Sequence, residues 1–227
     1  MNRSWVVSAV AWLVAVGGYL LNLHTGWFID EVTWVLRPLP LLLLIVWLIW
    51  RWPEGQHRRA VLIIALLLFV GGDAAAHEAD YFFITMALYW CGLVAYCVWG
   101  WQGISMNQLR WLMLIPVICA GLLFGYWLWW VPGLQLEAMI AYNLTLVVMA
   151  LGILLNARLH WIALIGLLLL LGSHAGMALD TFLQEFELSP VFTMLAYYFG
   201  HLGLVLGVYW YREPETAPFG YALNMDE

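Results

Sequence analysis

The chain alternates long apolar runs with short polar punctuation. Eight runs can be drawn, at roughly 5–22, 33–50, 60–79, 81–100, 110–130, 138–156, 161–181 and 190–211, each near the ~20 residues that a helix needs to cross a bilayer. The pattern predicts an all-α integral membrane protein, an eight-helix transmembrane bundle forming one domain over 1–212. The run after Arg3 is expected to be a retained first span, because no small-residue cleavage site precedes polar sequence. Residues 213–227, with Pro214 and Pro218, are expected to form a short disordered cytoplasmic tail.

The polar punctuation alternates in sign. All eight basic residues are Arg. Arg3 precedes the first run; Arg51, Arg58 and Arg59 lie between the second and third; Arg110 opens the fifth; Arg158 and Arg212 follow the sixth and eighth. The intervening connections lack basic residues and carry acids: Asp30 and Glu31, Glu78 and Asp80, Glu137, then Glu185 and Glu187. Positive charge gathers on the cytoplasmic side, so both termini are expected there. Arg37, inside the second run, is the exception.

Composition agrees with that picture and excludes others. Sixty-five per cent of residues are apolar and 10% charged, a balance no soluble domain of this size carries. Sixteen Trp and eleven Tyr suit the two headgroup belts. A net charge of −6 without a basic patch gives no reason to expect nucleic acid. Cys91, Cys97 and Cys119 all fall within apolar runs, which argues against a disulfide framework.

A faint internal repeat pairs runs three and four with seven and eight. Leu66 to Asp73 resembles Leu167 to His174, and Tyr89-Trp90-Cys91-Gly92-Leu93 resembles Tyr197-Tyr198-Phe199-Gly200-His201. Two parallel four-helix halves would place a site between them.

With orientation set, depth can be read along each run. Arg37, Asp73, His77, Tyr142, Asn143, Ser173, His174, Asp180, Tyr197 and His201 fall in the non-cytoplasmic half or near the midplane. One-sided polarity suggests a hollow open to that side or to its leaflet. Asp73 follows Gly71-Gly72 at the end of an apolar run, where a charge costs about 2.5–3.5 kcal/mol on insertion scales unless it is used or paired. His77, four residues on, would share its helical face. Arg37 could snorkel to headgroups, hold a phosphate or pair with Asp73. Tyr142, Asn143, Ser173 and Tyr197 could equally be interhelical hydrogen-bonding contacts.

Several of these stretches together resemble the YhhN family of lysoplasmalogenase-like membrane proteins. Arg37-Pro38-Leu39-Pro40 with Leu41 to Leu44 is similar to the family's Lys-Pro and Leu-rich start, and Gly72-Asp73 to its Gly-Asp pair. Phe82 to Tyr96 resembles its aromatic segment, Gly166 to His174 the segment ending in Ser-Asp, and Tyr197 to His201 its last aromatic stretch. Three departures stand out. Arg37 replaces Lys, Leu93 takes a usual His position, and Ser173-His174 replaces Ser-Asp.

The resemblance implies eight spans, a lysophospholipid-type substrate and hydrolysis of its vinyl-ether bond to a fatty aldehyde and a glycerophospho-headgroup. With the short Lys-free chain, it also suggests a bacterial inner membrane. Such chemistry needs an acid to protonate the enol-ether carbon and a base to guide water onto the oxocarbenium. Asp73 is the candidate acid, and His174 the candidate base in place of the missing carboxylate. Arg37, Tyr142, Tyr197 and His201 are candidate substrate-binding residues, with apolar walls for the alkyl chain. This reading calls for no cofactor and no metal. One alternative is a zinc-dependent intramembrane lipid hydrolase using Asp73, His77, His174 and His201. Another is a non-enzymatic lipid-binding or transport protein.

Overall fold

The computed structural model describes residues 3–25, 30–51, 57–102, 112–130, 136–156, 159–183 and 190–210, and these are helical apart from short turns. The expected tail at 213–227 lies outside the described residues, as do Arg110, Arg158, Arg212, Glu185 and Glu187 among the charges that set the predicted orientation. The helices are α1 (Arg3–Thr25), α2 (Asp30–Leu36), α3 (Leu39–Arg51), α4 (His57–Ala75), α5 (Phe82–Trp101), α6 (Leu114–Trp129), α7 (Leu136–Leu155), α8 (Trp161–Leu183) and α9 (Pro190–Tyr209). A 3₁₀ turn, Ala79–Tyr81, leads into α5.

Helices α2 and α3 together fill the second apolar run. Proline has no N–H and its ring clashes with the preceding turn, so Pro38 and Pro40 interrupt what would be one helix. With this pair taken as one segment, six helical segments are long and apolar enough to cross a membrane. Ala60–Ala75 and Leu114–Trp129 are shorter apolar helices.

Neighbour relations run α3–α4–α5–α7–α8–α9 and return from α9 to α3. Helix α1 packs outside the α3/α9 seam, and α6 packs outside α7. Those two present broad apolar faces outward, as at Val7, Val14, Leu122 and Leu123. Lipid tails are as apolar as leucine, so helix association relies on close packing and interhelical hydrogen bonds rather than on expelling water.

The tightest packing joins α8 and α9. A Cβ on Gly166 would stand 2.6 Å from the Leu204 nitrogen and 2.7 Å from the Gly203 carbonyl carbon. One on Gly203 would stand 2.6 Å from Gly166 Cα. These obstacles are backbone and cannot rotate away. Gly203→Ala is expected to separate the two helices and lower stability by about 1–3 kcal/mol. A reduced unfolding midpoint of the purified protein in detergent would register it.

Polar side chains join the other helices. Asn143 Nδ2 donates to the Gly121 carbonyl at 3.0 Å, and Trp101 Nε1 donates to the Val148 carbonyl at 3.0 Å. Asn143 is thus an α6–α7 contact. Asn22 Nδ2 donates to Thr33 Oγ1 at 2.8 Å, tying α1 to α2.

The third apolar run ends earlier than its composition suggests. Helix α4 stops at Ala75, its last turn closed by Ala76 N–H donating to the Gly72 carbonyl at 2.9 Å. His77 lies beyond it in an exposed turn, whereas Asp73 is completely buried. The expected common helical face of Asp73 and His77 therefore does not form. Ala74, Ala75 and Ala76 are strong helix formers and mask the boundary.

Candidate functional site

Asp73 sits in the last turn of α4, with 0% of its side chain exposed. A carboxylate at a helix C-terminus meets the negative end of the helix dipole, and here it has no water either. Three side chains from three other segments compensate. Tyr89 on α5 donates its hydroxyl to Asp73 Oδ1 at 2.8 Å. Tyr197 on α9 donates to Oδ2 at 3.2 Å. Arg37, at the α2/α3 break, places Nε 3.5 Å from Oδ1, an ion pair rather than a hydrogen bond. Its Nη2 donates to the Tyr89 oxygen at 3.3 Å, so Tyr89 bridges guanidinium and carboxylate.

Local sequence makes this reach possible. A Cβ on Gly72 would stand 2.5 Å from the Tyr89 ring, so glycine there lets the tyrosine lie across α4 and meet Asp73. The proline break puts Arg37 in a turn, and the Tyr198 hydroxyl donates to its backbone carbonyl at 2.8 Å. Arg37 is the partly exposed member of the group, at 19%. Of the readings open to it, pairing with Asp73 is the one seen.

Two imidazoles form a second group. Tyr96 on α5 and His201 on α9 share a hydrogen bond at Nδ1 of 2.7 Å. Tyr142 on α7 and His174 on α8 share one at Nδ1 of 3.0 Å. The Phe69 ring joins both groups. Its centroid lies 4.6 Å from that of His201, 6.3 Å from His174, 5.8 Å from Tyr89 and 6.2 Å from Tyr197.

Arg37 and Tyr197 thus each contact Asp73 directly, while His174 and Tyr142 form their own pair and His201 turns to Tyr96. Linear position had suggested that Asp73, His174 and Arg37 share one open hollow. A cavity of about 700 Å³ does exist beside the end of α4, bounded by Trp34, Ala74, His77, Glu78 and Tyr81, but Asp73 does not line it. The side chain of Asp180 lies outside the described residues. Among the described residues, no group of three or more His, Cys, Asp or Glu is placed to hold a metal, and exposed His77 lies apart from buried Asp73, His174 and His201. The four proposed zinc ligands do not assemble.

Tyr89, Tyr96 and Phe69 belong to the site and were not singled out from sequence. A signal for Tyr89 was present, since the internal repeat places it opposite Tyr197. Each of these two tyrosines donates to one oxygen of the same carboxylate.

The sequence profile of the YhhN family matches residues 32–208, a stretch that contains every residue of both groups. The chain belongs to the YhhN family. No curated protein and no solved structure matches it. This YhhN protein is multi-pass, its apolar helices suited to an integral membrane position. The matched stretch leaves out α1, whose Tyr19 packs edge-on against Tyr198 with ring centroids 5.9 Å apart. In this YhhN member an imidazole, held by Tyr142, occupies position 174.

Proposed function

We propose that this protein hydrolyses the vinyl-ether bond of a lysoplasmalogen, releasing a fatty aldehyde and a glycerophospho-headgroup. The observation that carries this reading is a carboxyl with no exposure, held by hydroxyls from α5 and α9 and backed by a partly exposed guanidinium. A proton donor for carbon must be kept from water and aimed, and that is what two anchoring hydroxyls and apolar walls do.

Asp73, ionised in its resting pair with Arg37, takes up a proton when the lipid's phosphate engages the guanidinium, and delivers it to the enol-ether carbon, whose C=C π bond breaks to leave an oxocarbenium ion. Water adds to that cation, losing a proton to His174, whose Nδ1 is anchored by Tyr142. The resulting hemiacetal collapses to aldehyde and alcohol, and the proton held on His174 restores Asp73 by way of solvent or product. Arg37 holds Asp73 in place and, being partly exposed, faces the phosphate as the lipid enters. Tyr197, His201 and Tyr142 contact the bound lipid, and the apolar helices take its chain.

We place this chemistry in an eight-span bundle of two parallel four-helix halves, both termini cytoplasmic, in a bacterial inner membrane. The repeat supports this arrangement, because Gly92 faces Phe69 as its counterpart Gly200 faces Leu170.

Purified protein offered a 1-O-alkenyl lysophosphocholine is expected to release aldehyde, and a 1-O-alkyl analogue is expected to stay intact. A metal chelator is expected to leave the rate unchanged. Binding of both lipids without aldehyde would favour the non-enzymatic reading, and chelator-sensitive release would return the zinc reading.

A further inference from the structure

The environment of His201 favours one position for the proton of its neutral ring. His201 and Tyr96 are both fully buried, and they share the 2.7 Å contact at Nδ1. No described residue reaches His201 Nε2. Two tautomers are open to a neutral ring. If Nδ1 carries the hydrogen and donates to Tyr96, both the phenol hydrogen and the Nε2 lone pair are left without partners. If Tyr96 donates to Nδ1, only the Nε2–H is unmatched. Unsatisfied polar groups are costly in an apolar bundle, so the second arrangement wins.

That leaves a directed N–H donor deep in the bundle, one helical turn inward of Tyr197 and its bond to Asp73. Its surroundings are aromatic: Phe69 and Tyr197 each lie 4.6 Å from the ring, and Tyr96 lies 5.6 Å away. The cation of the site, Arg37, sits at the Asp73 end. An anion would be poorly stabilised at such a place, whereas a neutral acceptor oxygen on an apolar chain matches it.

We propose that His201 Nε2–H, fixed by Tyr96, is the donor that seats a neutral oxygen of a single-chain lipid, either its ether oxygen or its free glycerol hydroxyl. This rests on the hydrolase reading for the kind of lipid and adds how its glycerol end is recognised. A seat for a free hydroxyl would also exclude two-chain lipids, whose acyl group occupies that oxygen.

The test is histidine-selective ¹⁵N NMR of the full protein in lipid nanodiscs, with the His201 signal identified by its loss in His201→Gln. His201 is expected as the Nε2–H tautomer, and Tyr96→Phe is expected to release it to a mixture. Adding 1-O-alkyl lysophosphocholine is expected to move Nε2, and an alkylphosphocholine lacking both oxygens is expected not to. The 2-deoxy analogue separates the sources: movement retained assigns the ether oxygen, and movement lost assigns the hydroxyl. His201→Leu should weaken retention of the lysolipid about tenfold, one hydrogen bond's worth.

An Nδ1–H tautomer overturns the proposal. So does an Nε2 signal that no lipid moves, which would mean that the N–H is satisfied by the Phe69 or Tyr197 ring face. A signal moved equally by alkylphosphocholine also overturns it. Aldehyde release with an unmoved signal sinks this seat and leaves the hydrolase reading standing. Movement without aldehyde release does the reverse.

Discussion

Arg37→Met is expected to destabilise the protein by about 3–5 kcal/mol, while the double variant Arg37→Met/Asp73→Leu regains most of that loss. The reason is the asymmetry of buried charge pairs. The pair itself contributes little net stability, because both ions give up water to form it. Removing one partner leaves the other stranded. Asp73 has no exposure and sits at the unfavourable end of the α4 dipole, so it cannot turn to solvent when the guanidinium goes. The hydroxyls of Tyr89 and Tyr197 still hold its oxygens, which favours the lower end of the range. Unfolding midpoints of the two single variants and the double variant, in one detergent, give the coupling. Additive losses in the double variant would mean that the 3.5 Å approach carries no structural weight.

Apolar run length is a local property, and it located the eight segments to within a few residues at most boundaries. The end of α4 was missed because nothing local distinguishes Ala74 and Ala75 inside the helix from Ala76 outside it. That error carried His77 onto a helical face it does not share. Asp73 and Arg37 were legible because charge within an apolar run is conspicuous whatever the fold.

Their pairing was legible only as one of three readings of Arg37, since choosing it depends on the α2/α3 break meeting the end of α4. Tyr89, Tyr96 and Phe69 stayed hidden for a different reason. An aromatic residue in an apolar span resembles any other core residue until its hydroxyl or ring face is seen against a partner. The same holds for His174, whose depth was readable but whose partner, Tyr142, lies on another helix.

Asp73→Asn is expected to lower the rate of aldehyde release by about 10²–10⁴-fold, the range typical of a lost general acid. Asparagine has nearly the same volume and can accept a hydrogen bond from Tyr89 or Tyr197 through its oxygen, so the packing around Phe69 is retained. What disappears is the proton that would go to carbon. Arg37 is left without its counter-charge, but its partial exposure lets the guanidinium meet water. The comparison must therefore be made at equal amounts of folded protein. The deciding measurement is aldehyde released from a 1-O-alkenyl lysophosphocholine by the purified wild-type protein and by Asp73→Asn under matched conditions. Release by the wild type, reduced at least a hundredfold in the variant, is the predicted result. No release by the folded wild type, or a variant within a few-fold of it, would contradict the role given to Asp73.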